Sequence, residues 1–424
     1  MIGGCYTALG GHTAPATSNE RYMNPKMNQD LDKLQPYPFE KLFKLKSGIL
    51  PNRSQPHIAL SIGEPQHQPP SFVTEELITH LHTLSQYAAT GGLPELRESI
   101  AQWLIRRFQL PPDSIDGEHH VLPVNGTREA LFAFAQAVVD RHNHPLVIMP
   151  NPFYQIYEGS ALLAGAQPYY LNTDAGHRYL PDFDAVPTDI WARCQLIYLC
   201  SPGNPTGAVI GIDALQRLIE LADRHDFIIA ADECYSEIYF DEAAPPAGLL
   251  QAASRLGRDD YKRCVVFHSL SKRSNLPGLR SGFVAGDREV IAKFLLYRTY
   301  HGCAMPLHHQ AASIKAWADE AHVRHNREMY RRKFDAVLPM LNGVLDVAQP
   351  DAGFYLWPRT PINDETFAKG LYSQQNVTVL PGRYLSRQAH GANPGNDHLR
   401  IALVAPVDAC IDAAQRIRDY VTTL

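Results

Sequence analysis

CVVFHSLSKRSNLPGLRSGFVAG, residues 264 to 286, decides how the rest of the chain reads. It opens on the apolar, largely β-branched run Val265-Val266-Phe267 and closes on Phe283-Val284-Ala285. Both runs read as strands covered on two faces, as in an α/β protein. Between them lie SLSK, the turn-forming Asn275-Leu276-Pro277-Gly278, and Arg280. A lysine on a tight loop between buried strands is costly unless desolvation is its purpose, because burial lowers its pKa and leaves an amine able to attack a carbonyl. Lys272 is therefore the leading candidate for chemistry.

Three readings of SLSK compete. Lysine is rarely buried, so a solvated loop residue is the ordinary one. The S-x-x-K of penicillin-binding proteins makes the serine the nucleophile, but its companions S-D-N and K-T-G do not occur in this chain. A Schiff-base lysine for pyridoxal phosphate predicts partners elsewhere, an acid for the pyridinium nitrogen and donors for a phosphate.

The totals set the frame. A chain of 424 residues exceeds one compact core, so two domains are expected. With 45% hydrophobic and 20% charged residues, and a formal net charge of -5 without a basic run, the composition is globular and carries no electrostatic footprint for nucleic acid. No apolar run suggests a membrane span, no secretory signal pattern opens the chain, and the seven cysteines form no C-x-x-C, so a reducing cytoplasm is expected. The nineteen histidines form no H-E-x-x-H, and no metal is expected.

Outward from the central stretch, strands and helices alternate. Residues 1–26, rich in Gly, Ala and Thr, read as a tail or non-native start. Residues 27–65 form an N-terminal segment that joins a small domain; its strand His57 to Ile62 ends in Gly63-Glu64-Pro65, where glycine lets a backbone N–H approach a ligand. A large domain spans 66–305. Two helical patterns flank Tyr87 to Gly92, and Tyr87 by itself reads as a packing aromatic. Val121 to Val124 runs into Asn125-Gly126-Thr127-Arg128 and an apolar helix, whose N-terminus is a ready anion site. Strands follow at 146–149, 195–200 and 227–231, with loops NPFY and SPGNPTG and a helix at 213–225 between them. This spacing implies right-handed crossovers and a largely parallel sheet, with ligands at the carboxyl ends of the strands, where Asn204, Asp232 and Lys272 fall. A small α+β domain occupies 306–424, beginning with a long charged helical stretch to about Asn342.

The residue types fit one chemistry. Asp232 closes an apolar strand and needs a cationic partner, which a pyridinium nitrogen supplies. Arg280, eight residues after Lys272 across a returning turn, can grip a phosphate bidentately, and Ser269 can add a hydroxyl. Asn204 and Tyr235 can hydrogen-bond the ring oxygen, Tyr154 can stack on the ring, and Arg400 is a fixed fork for a substrate carboxylate.

NPFYQIY (151–157), SPGNPTG (201–207), ADECYSEIYF (231–240), SLSKRSNLPGLRSGF (269–283) and LRIAL (399–403) together resemble the fold-type I, class I/II aminotransferases of the aspartate aminotransferase superfamily. The resemblance implies a large domain with a mainly parallel, seven-stranded sheet sandwiched by helices, a smaller α+β domain, and pyridoxal 5'-phosphate as cofactor. It implies catalytic roles for Lys272, as Schiff-base lysine and proton shuttle, and for Asp232 and Tyr235. It implies that Gly126, Thr127, Ser269 and Arg280 hold the phosphate, that Tyr154 stacks on the ring and Asn204 and Tyr235 meet the ring oxygen, and that Arg128 is also among the cofactor-binding residues. Gly63, Asn204 and Arg400 face the substrate. By the same resemblance Tyr87 would reach the neighbouring subunit's cofactor, which implies a homodimer with shared active sites.

SKRSNLPGLR, QPYPFEKL and SIGEPQH are most similar to N-succinyldiaminopimelate aminotransferases of bacterial lysine biosynthesis, which pair glutamate with N-succinyl-2-amino-6-ketopimelate. Both substrates are acidic, so a second anion-binding group is expected from among Arg273, Arg128, Arg298 and Arg383. The rivals are an aromatic, alanine or aspartate aminotransferase or a carbon–sulfur lyase on the same scaffold. A regulator carrying an aminotransferase-like domain would need a basic helical DNA-binding module, which 26 Gly/Thr-rich residues do not supply.

Overall fold

The computed structural model describes residues 27–424; the tail expected at 1–26 lies outside the described residues. Seven strands form the large sheet: β1 (Val121–Val124), β2 (Leu146–Asn151), β3 (Gln167–Asn172), β4 (Cys194–Cys200), β5 (Ile228–Asp232), β6 (Cys264–Ser269) and β7 (Gly282–Gly286). Their order is β1-β7-β6-β5-β4-β2-β3. Every neighbouring pair is parallel except those of β7, which runs against both β6 and β1. The mainly parallel, seven-stranded α/β architecture is thus present.

Alternation along the strands explains the layers. Ile197, Leu199, Ile229, Ala231 and Val266 face a core with Ile100, Trp103, Leu218 and Trp317, while Leu196, Tyr198, Ala230, Val265 and Phe267 face a second core with Leu131, Phe134 and Phe294. A period of two in strands buried on both sides needs helices on both faces, so the sheet is sandwiched. β3 escaped the sequence reading because it is an edge strand: it carries Pro168, and only Leu171 in it is buried. Proline is tolerated at such an edge, and no apolar run marks it.

The carboxyl-terminal part builds a separate core around Phe334, Val337, Leu356, Leu371 and Ile401. Its three-stranded antiparallel sheet has Leu399–Ala402 between Leu380–Pro381 and Tyr355–Leu356. The N-terminal segment joins it, since Ile58–Ala59 pairs in parallel with Val377–Thr378 and Leu60 O accepts from Ala402 N at 2.8 Å. That strand is two residues rather than the six expected from 57–62. The stretch after Pro306 is two helices, Leu307–Ala318 and Ala321–Leu341, broken at Asp319-Glu320. Among the described residues no helix is long and apolar enough to cross a membrane.

Candidate active site

Lys272 sits where β6 ends. Ser269 Oγ caps the four-residue helix Leu270–Arg273 by accepting from Ser271 N at 3.1 Å, so the strand's last side chain fixes the start of the lysine's own turn. Lys272 Nζ donates to Gly63 O at 2.5 Å. Burial, with Arg400 and Arg128 adding positive charge, lowers its pKa to about 8. After it the chain reverses through Asn275 and Arg280, both at left-handed φ (53° and 52°), and returns as β7. One excursion therefore delivers both Lys272 and Arg280 to the carboxyl edge of the sheet.

Opposite lies an anion cradle. Gly126, at φ 82°, precedes the helix Thr127–Val138, and a Cβ there would overlap the Arg280 guanidinium as well as force a conformation L-residues avoid. Arg280 donates to Pro277 O at 2.9 Å and Asn125 O at 3.5 Å. Its ligands are neutral carbonyls, which leaves its charge available to an anion set against the free N–H groups of the helix.

Asp232, the last residue of β5, is buried and accepts from Tyr157 OH at 2.7 Å and Cys234 N at 3.2 Å. Burial pushes its carboxyl pKa up. Among the described residues no arginine or lysine pairs with it, so a cationic ring nitrogen fits the one requirement the protein leaves open. Tyr157 was not singled out in the sequence, where a tyrosine three places after Tyr154 reads as packing. Its hydroxyl is held on target by stacking against Tyr198, at 4.8 Å and 11° between planes.

The remaining wall is aromatic and cationic. Tyr154 OH accepts from Arg128 Nε at 2.7 Å, and Arg128 also reaches Tyr37 OH at 3.2 Å. Tyr235 OH meets Tyr355 OH at 2.9 Å. Arg400 donates to Asn204 Oδ1 at 3.0 Å and Ser61 O at 2.7 Å, lies 4.7 Å from the Tyr355 ring centre, and keeps a buried Nε without a partner. Gly63 offers its carbonyl to Lys272 rather than only the N–H expected of it, and a Cβ on it would overlap the Tyr355 hydroxyl.

These groups line one cavity of about 530 Å³: Gly63, Thr127, Arg128, Tyr154, Asn204, Asp232, Tyr235, Ser269, Lys272, Arg280 and Arg400 all face it, with Tyr37, Glu64, Cys234 and Tyr355 added by the structure. Gly126 lies against Arg280 at its edge. Tyr87 lies apart and is fully exposed, so within one chain it is not the packing aromatic its sequence context suggests. A helix N-terminus beside an arginine, an uncompensated buried acid and a lysine of lowered pKa together fit pyridoxal phosphate.

Three of the four arginines considered for a second anion are elsewhere. Arg273 is buried against Trp103 and Trp317, Arg298 pairs with Glu129, and Arg383 pairs with Asp364. Only Arg128 of that set lines the cavity. Glu129, His301 and Cys303 have ligand atoms within 4.8 Å of one another, but both Glu129 oxygens are already held by Arg298 Nη1, at 2.9 and 2.7 Å.

The family model for aminotransferase class I and II matches residues 55–416. The chain is 30% identical to an LL-diaminopimelate aminotransferase of Dehalococcoides mccartyi, over 90% of this chain and 95% of that protein. Among solved structures it resembles an aminotransferase of Neisseria meningitidis (47% identity, 94% of this chain and 100% of that one, TM-score 0.89). It also resembles a probable N-succinyldiaminopimelate aminotransferase of Thermus thermophilus (26% identity, 90% and 100%, TM-score 0.79).

Proposed function

The chain belongs to the class I and II aminotransferases, which use pyridoxal phosphate, and from that premise we propose that it exchanges an amino group between glutamate and N-succinyl-2-amino-6-ketopimelate. The observation that carries the choice of acidic substrates is the pair Arg400 and Arg128, two guanidinium groups that line the same cavity as Lys272 in addition to the one beside the phosphate cradle. One can take the carboxylate next to the reacting carbon and the other a distal carboxylate.

When bound, pyridoxal phosphate supplies an electron sink for the carbon that carries the amino group. In this reading Gly126, Thr127, Ser269 and Arg280 hold the phosphate, Asp232 the ring nitrogen, Asn204 and Tyr235 the ring oxygen, and Tyr154 the ring face. Lys272, with its pKa near 8, holds a proton at Nζ or releases it close to neutral pH, and so serves both as acid and base. Arg400 orients the substrate carboxylate, and its stack on Tyr355 keeps the fork from rotating. The active unit is a homodimer in the cytoplasm. Its support is the segment Leu81 to Tyr87, which leaves Leu81, Leu84 and Tyr87 exposed, Tyr87 completely.

A second reading takes LL-diaminopimelate as amino donor, favoured by the Dehalococcoides relative and by Glu64, an acid at the cavity that suits a free distal ammonium. Assay of the purified enzyme with glutamate and a panel of oxo acids, and with LL-diaminopimelate as donor, separates the two. Preference for the succinylated acceptor supports the first; much faster use of pyruvate or phenylpyruvate defeats it.

A further inference from the structure

Arg273 follows Lys272 on the same four-residue helix, yet its side chain leaves the cavity and is 1% exposed. Burying a guanidinium is expensive unless its donors are satisfied; here both Nη atoms have specific partners, while the buried Nε has none. Nη1 donates to Ala316 O at 2.7 Å and Ser274 Oγ at 3.2 Å; Nη2 donates to Asp319 O at 3.2 Å and Glu320 Oε1 at 2.5 Å. The flat group packs against a pair of touching indoles, 5.5 Å from the Trp103 ring centre and 4.9 Å from that of Trp317, which are themselves 4.9 Å apart. Ala316 carries one of the last carbonyls of the helix Leu307–Ala318, at the negative end of its dipole, and Asp319 is its C-cap residue, so Arg273 closes that helix's C-terminus.

The elbow it caps joins the two parts of the molecule. Ala316 and Trp317 before it belong to the core under the large sheet, whereas Phe334 and Val337 of the following helix belong to the core under the small one. Two more ties hold the elbow to the lysine turn. His322 Nδ1 pairs with Asp319 Oδ2 at 2.6 Å while its Nε2 meets Ser274 Oγ at 2.8 Å, and Asn326 Nδ2 donates to the carbonyls of Lys272 and Arg273, each at 3.2 Å.

We propose that Arg273 is a positioning residue that locks the turn bearing Lys272 to the elbow at 319–322, so that the placement of Nζ is set by the junction between the two cores. The inference rests on Lys272 as the cofactor lysine. Only arginine meets the geometry: a lysine keeps the charge but loses the fork that bridges Ala316, Asp319 and Glu320 and the flat face that packs against the indole pair.

The test compares wild-type holoenzyme with Arg273→Lys and Ser274→Ala, the latter removing only the hydroxyl between Arg273 and His322. Arg273→Lys is expected to lower kcat on the order of 10- to 100-fold, as a misplacement of about 1 Å does, while KM for the amino donor stays within about threefold. The pH midpoint of the cofactor's visible band is expected to rise by about half a unit or more, because a loosened lysine regains solvent. Ser274→Ala shifts both in the same direction by less. A loss of thermal stability with kcat and band midpoint unchanged in both variants overturns the proposal. Lys272→Ala is the control: retention of the pH-dependent band in that variant overturns the assignment of Lys272 itself.

Discussion

Lys272 costs the cofactor-free protein stability, and the cost can be measured. Its pKa falls from 10.5 to about 8 on folding. Below pH 8 the lysine is protonated in both states, and the folded state carries a penalty of (10.5 − 8) × 1.36, on the order of 3 kcal/mol. Between pH 8 and 10.5 the unfolded chain still binds a proton that the folded chain has released, so stability climbs with pH and the penalty is gone above that window. Lys272→Met removes the charge at similar length but also the charge-assisted hydrogen bond to Gly63 O, which contributes about 1.5 kcal/mol. The net expectation is a variant without turnover that is more stable than wild type by about 2 kcal/mol at pH 7, with the advantage vanishing or reversing by about pH 10.5. Guanidinium unfolding of both proteins without cofactor, at one protein concentration, reads this directly. A variant no more stable at pH 7, or a difference that does not change between the two pH values, refutes the claim that desolvation primes this amine.

Other substitutions probe separate parts of the site. Asp232→Asn keeps the shape but removes the charge that the ring nitrogen requires, and turnover should fall by about 100-fold or more in steady-state assays. Arg400→Lys breaks a two-pronged grip, so KM for glutamate should rise about tenfold or more with a smaller change in kcat. Gly126→Ala forces φ 82° on an L-residue and pushes Arg280 aside; equilibrium dialysis should show pyridoxal phosphate bound more weakly by about tenfold or more. If active sites are shared, mixing inactive Tyr87→Ala and Lys272→Ala subunits should restore activity, since each mixed pair contains one intact site; no recovery argues against Tyr87 crossing the interface.

Much of this was legible because buried strands of a parallel sheet must be apolar runs, and the polar residue that ends such a run is conspicuous. Asp232 and Ser269 could be found that way, and Gly126 by its place between a strand and a helix. β3 could not, since an edge strand with Pro168 is asked to satisfy only one neighbour. Arg273 shows a different limit. The acidity of the expected substrates makes it a candidate for a second anion, but successive residues on a helix point about 100° apart, and the indoles that claim this one come from positions 103 and 317. Tyr157 and Tyr355 were hidden for a related reason: an aromatic side chain in an apolar setting announces burial, whereas where its hydroxyl points is decided by the partner element.

Arg400 Nη2 rests on the carbonyl of Ser61, 339 residues earlier in the chain. A ribosome has therefore made the lysine, the acid and the phosphate cradle well before the substrate fork exists, and the fork gains its support only when the last sheet closes around a segment synthesised near the beginning. The carboxylate fork is the last of the groups assigned to the site to be made. A nascent chain halted before position 400 would hold every group assigned to the cofactor, together with Arg128 and Asn204, but not the fork that Asn204 and Ser61 are placed to support.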